Sequence, residues 1–128
     1  VYTEPECAQV GMSLDEAEQH ASVSVIQFDM KQLDRAITDN STQGFLKLVV
    51  RKGRIAGAHA VGHHAGEIIH ELALAIQESM KLSKITTLVH AYPSYSQLNR
   101  RAASQYYRDS LFSPFSKKLV QLLSRYLP

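Results

Sequence analysis

A single cysteine, Cys7, stands in 128 residues. That excludes an intrachain disulfide and any Cys-x-x-Cys redox or zinc pair, and it points to a reducing compartment, the cytoplasm by default. No apolar run approaches the roughly 18 residues of a membrane-spanning helix, and the N-terminus has no charged-then-apolar signal pattern. There is no low-complexity tract and no internal repeat on the order of 20 to 50 residues. A strong charge of either sign is also missing, since the net charge of +2 is too small to imply a polyanion partner. The balance is uneven, however. Residues 1–64 carry six Lys/Arg and eight Asp/Glu, residues 65–128 eight and four, so the halves stand at −2 and +4 and the basic excess lies late. The first residue is valine, and the abrupt start Val1-Tyr-Thr-Glu-Pro-Glu6 reads as cut from a longer protein.

With 45% apolar residues the chain can bury the core of one ordinary domain without staples. Ser13-Leu-Asp-Glu16 is a capping box, hydroxyl and carboxylate each satisfying a free amide, and predicts a helix from Leu14 to about His20. Val23–Phe28 is β-branched and partly alternating, a strand with one face covered. Met30–Asn40 has helical spacing at Leu33, Ala36 and Ile37, which leaves helix and irregular connection both open. Gly44–Arg51 and Arg54–Val61 flank Lys52-Gly53, a β-hairpin. From Ala65 to about Lys81 apolar residues recur at helical spacing around much of the circumference, so this helix is expected to be covered on more than one side. Ser83 can cap a short turn or helix through Leu88. Ser94-Tyr-Ser-Gln97 repeats the capping-box spacing ahead of a helix from Tyr95 to about Arg108. Ser113-Pro114 opens a last helix to Tyr126, on which Phe115, Leu119, Leu122 and Tyr126 form one stripe.

Four segments in this order carry a family resemblance. They are Tyr2-Thr-Glu-Pro-Glu-Cys-Ala-Gln-Val-Gly11, Gly44-Phe-Leu-Lys-Leu-Val-Val50, Ile55-Ala-Gly-Ala-His-Ala-Val-Gly-His-His-Ala-Gly-Glu-Ile-Ile69 and Val89-His-Ala-Tyr-Pro-Ser-Tyr-Ser-Gln-Leu98. Together the chain resembles the C-terminal interface domain of the FAD-dependent pyridine nucleotide-disulfide oxidoreductases. The resemblance implies an α+β fold, an antiparallel sheet packed with helices, that pairs two subunits as a homodimer. It also implies a His-Pro loop reaching the partner's active site beside the flavin and a redox disulfide, its His held by a Glu five residues later. Residues 1–112 are read as this interface domain and residues 113–128 as an amphipathic helical extension of it.

At the family's His and Glu positions this sequence has Tyr92 and Gln97. Imidazole takes and gives a proton near neutral pH, whereas a tyrosine of pKa about 10 mostly donates a hydrogen bond. A carboxylate that orients an imidazolium has no use without one, so the amide is consistent with the phenol. Tyr92 and Gln97 are the candidate catalytic residues. Mercuric-reductase-like members also place tyrosine in this loop, where a phenol can reach toward a thiolate-held metal. The lean is therefore to a mercuric-reductase-like or uncharacterised flavoprotein, away from glutathione or dihydrolipoamide reductase. No G-x-G-x-x-G follows a strand, so no cofactor is expected on this chain. FAD and NAD(P)H belong to the flavin and nucleotide domains of a parent enzyme.

Other residues carry blander readings. His90 is expected to pack the loop. His63, Glu67 and His70 would share an arc of one helix, but His63 follows Gly62 at a strand exit, so no metal site is assigned. Cys7 reads as a small residue packed near the first strand. Arg100, Arg101 and Arg108 come with no nucleic-acid motif and read as a solvated face or partners for interface carboxylates. The last helix, with Lys117, Lys118 and Arg125, is expected to pack on its own or the flavin domain rather than on a membrane. Rival functions are a stand-alone dimeric interaction module that has lost the chemistry and a small metal-dependent enzyme using the histidines.

Overall fold

In the computed structural model, residues 3–124 are described. Their elements run β1 (Cys7–Gly11), α1 (Leu14–Glu18), β2 (Val23–Asp29), a 3₁₀ turn (Met30–Gln32), α2 (Asp34–Thr38), β3 (Gly44–Arg51), β4 (Arg54–Gly62), α3 (Ala65–Gln77), α4 (Leu82–Thr87), α5 (Gln97–Leu111) and α6 (Pro114–Leu123). The hairpin of β3 and β4 forms the centre of a four-stranded antiparallel sheet of order β1-β4-β3-β2. Lys52 and Gly53 both have positive φ, 51° and 72°, the turn whose twist matches a tight hairpin.

On β3, Leu46, Leu48 and Val50 alternate onto the covered face beside Phe28, Ala58 and Ala60. α3 lies over β4 and β1, and α5 over β2 and β3. Ile68, Leu72, Ala75, Leu98, Ala102 and Ala103 close the core from the helix layer; a buried leucine of this kind stabilises by about 1.5–3 kcal/mol. Gly62 permits the exit from β4 toward α3: it has φ +132° and a side chain there would collide with the Met30 sulfur.

The α+β architecture with its antiparallel sheet is the one the resemblance implied. Several local expectations change. The Ser13 capping box forms, with Ser13 N donating to Glu16 Oε2 at 2.8 Å and Glu16 N to Ser13 Oγ at 3.1 Å, yet the helix ends at Glu18. α3 ends at Gln77, and Ser79 turns the chain at φ +49°. α3 is covered on the sheet side, while Glu67, His70, Leu74 and Gln77 stay exposed; no second cover lies over it among the described residues. Ser83 lies inside α4, capped at Lys81, and its carbonyl accepts from Thr86 and Thr87. β1 escaped the element reading because Cys-Ala-Gln-Val-Gly has little strand propensity; pairing with β4 decides it. No residue of α6 is buried, so its stripe does not pack on this domain. Arg125 and Tyr126 lie outside the described residues.

Candidate functional site

The loop between α4 and α5 is fixed from both sides. On one side, His90 Nε2 lies 3.1 and 3.0 Å from the two carboxylate oxygens of Glu71 on α3. Asn99 Nδ2, on α5, donates to Glu71 Oε2 at 3.0 Å and to the Ile68 carbonyl at 3.1 Å. The His90 side chain is 5% exposed and Asn99 is fully buried. His90 Nδ1 and Asn99 Oδ1 are buried without a partner. On the other side, the buried Tyr95 donates its hydroxyl to Asp39 Oδ2 at 3.1 Å, and the same oxygen accepts from Arg35 Nε at 2.8 Å. Burial, then the hydrogen bond to Asp39, raise the Tyr95 pKa, while the Arg35 guanidinium lowers that of Asp39. The Tyr95 ring also meets His64 and His63 edge-on at 4.8 and 5.5 Å between centroids.

Between these anchors Tyr92 is 69% exposed. Hydrogen bonding to Asp34 and the charge of that carboxylate raise the phenol's pKa above its ordinary value, with Arg101 opposing. Arg101 Nη2 itself lies 3.7 Å from Asp34 Oδ2. A phenol so placed keeps its proton at neutral pH.

Gln97 opens α5 and is 8% exposed, but the second capping box is not built. Ser96 takes the cap position without a side-chain bond, because Ser94 Oγ instead donates to the Ala91 carbonyl at 2.6 Å and closes the loop on itself. His90 is a loop anchor, as expected, though its carboxylate partner was missed. Asn99 carried the readable signal: a polar residue at the core spacing of Tyr95, Ala102 and Ala103 must find buried partners. Cys7 sits on the exposed side of edge strand β1 rather than packed. Among the described residues no three His, Cys, Asp or Glu side chains converge as metal ligands, and His63 packs against His64 with tilted rings, their centroids 4.0 Å apart. No helix here is long and apolar enough to cross a membrane.

A sheet carrying one helix bare on its outer face, beside an anchored loop that offers an exposed phenol, defines an α+β association module. Residues 1–103 match the family described as pyridine nucleotide-disulphide oxidoreductase, dimerisation domain. The dihydrolipoyl dehydrogenase of Geobacillus stearothermophilus is 40% identical over 106 residues, covering 80% of this chain and 23% of that protein. That of Chlamydia pneumoniae is 36% identical over 101 residues, 77% and 22%. LpdA from Mycobacterium tuberculosis superposes with a TM-score of 0.78 at 27% identity over 83% of this chain and 24% of its own. The HOCl-induced flavoprotein disulfide reductase RclA from Escherichia coli, with a TM-score of 0.76 at 23% identity over 81% of this chain and 25% of its own, shares the fold. The chain belongs to this family: it is a dimerisation domain of pyridine nucleotide-disulphide oxidoreductases. It spans less than a quarter of the length of the curated relatives named here, and the stand-alone alternative draws no support from these likenesses.

Proposed function

We propose that this domain pairs two copies of a longer, cytoplasmic, flavin-dependent NAD(P)H oxidoreductase and completes the partner subunit's active site with Tyr92. The observation that carries the reading is the contrast between Tyr92, 69% exposed, and its buried flanking anchors His90 and Tyr95. A loop ordered within its own subunit but bare at its tip is shaped to be covered by another. The exposed Leu74 on α3 gives the same copy an apolar contact. Gln97 stands beneath the loop as a neutral hydrogen bonder where a carboxylate would have only a phenol to address.

FAD and NAD(P)H are assigned to other domains of that longer protein. Among the described residues the sheet is antiparallel, and no G-x-G-x-x-G follows a strand to seat a pyrophosphate, so no step is routed through a cofactor on this chain. Residues 1–112 are taken as the dimerisation unit and 113–128 as its helical extension. The bare apolar stripe of α6 needs a cover, which the flavin or nucleotide domain supplies, without a role for nucleic acid or membrane. A tyrosine in place of an imidazole base favours a substrate that takes a hydrogen bond over one that needs a dithiol base.

The test is Tyr92→Phe in the full-length protein. Turnover is expected to fall by about tenfold or more, the scale of one lost functional hydrogen bond, with dimerisation and flavin content unchanged. Unaltered kinetics would remove Tyr92 from the site.

A further inference from the structure

Beside the Tyr92 loop, one face of α5 is built entirely of donors. Gln97, Arg100, Arg101, Ser104 and Arg108 line a concavity of about 320 Å³. Their spacing of three, four, seven and eleven residues from Gln97 brings them onto a single side of the helix. No carboxylate lines the concavity. The one acid in ion-pair reach is Asp34, 3.7 Å from Arg101, so Arg100 and Arg108 are left without a carboxylate partner among the described residues. Like charges one or two turns apart on a helix repel, and beyond the Asp34 contact no ion pair among the described residues offsets that cost.

We infer that this concavity receives an anionic group, a carboxylate or phosphate, carried by the small substrate addressed by the Tyr92 loop. Guanidinium forks match the two or three oxygens of such a group and give the stronger, charge-assisted hydrogen bonds. The volume is at the small end of ligand sites, which run from about 300 to 1,000 Å³, and suits a group rather than a whole cofactor. Gln97 fits the same purpose. It is 8% exposed, lines the concavity, and does not serve as a helix cap. A glutamate there would bring a negative charge against the incoming anion, whereas the amide adds a donor. The departure at position 97 thus acquires a reason of its own: it clears the cleft for a negative substrate.

The assignment names the substrate class of the proposed active site and rests on that reading, but its test does not use turnover. Inorganic phosphate is titrated into the full-length protein by calorimetry at constant ionic strength, balanced with chloride. Saturable binding is expected at one phosphate per subunit. Arg100→Ala/Arg108→Ala should weaken it about tenfold, equivalent to about 1.4 kcal/mol, and Gln97→Glu should weaken it as well. Arg108→Gln alone, at an exposed position, gives a smaller loss in a variant that folding cannot confound. Three results would overturn the inference: no saturable binding by the unaltered protein, equal affinity in all variants, or a loss of subunit association with phosphate affinity intact. The last would make the arginines partners of carboxylates across the dimer. Failure of the Tyr92 reading, by contrast, shows in turnover and leaves phosphate binding untouched.

Discussion

Replacing Glu71 by alanine should be among the most damaging polar substitutions in this domain, although the residue is itself 23% exposed. Its carboxylate joins two other side chains, His90 and Asn99, and the consequence of removing it falls on those neighbours. His90 Nε2 has both of its contacts, at 3.0 and 3.1 Å, with Glu71, and its Nδ1 already lacks one. Without the carboxylate a 5% exposed imidazole has no partner at all. Asn99 keeps its bond to the Ile68 carbonyl and loses the one at 3.0 Å to Glu71. A buried polar group stranded in this way costs about 1–3 kcal/mol. One imidazole fully stranded and one amide half stranded therefore give about 2–4 kcal/mol, a large part of the roughly 5–15 kcal/mol that holds a domain folded.

Urea unfolding of the 128-residue chain measures this as a lowered midpoint with an unchanged slope. Glu71→Gln retains the volume and one acceptor and should lose less than half as much. In a His90→Phe/Asn99→Leu background, where nothing remains to be stranded, Glu71→Ala should cost under about 0.5 kcal/mol, the size of an ordinary surface change. A Glu71→Ala cost equally large in that background, or negligible in the unaltered chain, would refute the reasoning.

Two further outcomes follow from single residues. Gly62→Ala should destabilise by more than about 2 kcal/mol, since it combines a positive φ that L residues avoid with a collision at Met30, and a thermal melt reads it directly. Tyr95 has its pKa raised in the folded chain above 10.0, first by burial and then by Asp39. The unfolded chain therefore loses this proton first, so the contribution is complete below about pH 10 and is lost as pH rises through the folded value. Stability measured by urea at pH 8 and pH 11 should fall less in Tyr95→Phe than in the unaltered chain.

Legibility from sequence followed the range of the interactions. The hairpin was readable because a turn chemistry at Lys52-Gly53 and two apolar runs are adjacent in the chain, and the observed β3 and β4 differ from the expected runs by one residue at Gly62. The Ser13 cap was readable because a capping box is a bond between residues three apart. The same logic failed at Ser94, whose hydroxyl closes onto Ala91 instead, because local competitors for one hydroxyl are not ranked by spacing alone. β1 depends on a partner about fifty residues away in sequence. The site divides in the same manner. Tyr92 and Gln97 stood out as departures within one motif, whereas Glu71, Asn99 and Asp34 come from three separate helices and meet the loop only after folding. Of these only Asn99 has a signal in the sequence, a polar residue at core spacing, and it went unread.

The two anchors of the loop act on different elements, and this bears on how the domain would associate. His90 ties the approach to Tyr92 to α3, through Glu71, and Tyr95 ties the departure to the end of α2, through Asp39. Tyr92 and Pro93 between them are exposed, so the segment that a second subunit would cover is already ordered before association. Fixing the rotamers of a free loop at an interface costs about 0.5–1.5 kcal/mol for each flexible side chain. Here the ordering is provided within the subunit, by His90 on Glu71 and Tyr95 on Asp39. Loss of either anchor should then weaken association, while Tyr92→Phe, which removes the hydroxyl proposed to act in the partner's site, leaves both anchors in place. In the full-length protein an anchor variant is therefore expected to show in subunit association and Tyr92→Phe in turnover.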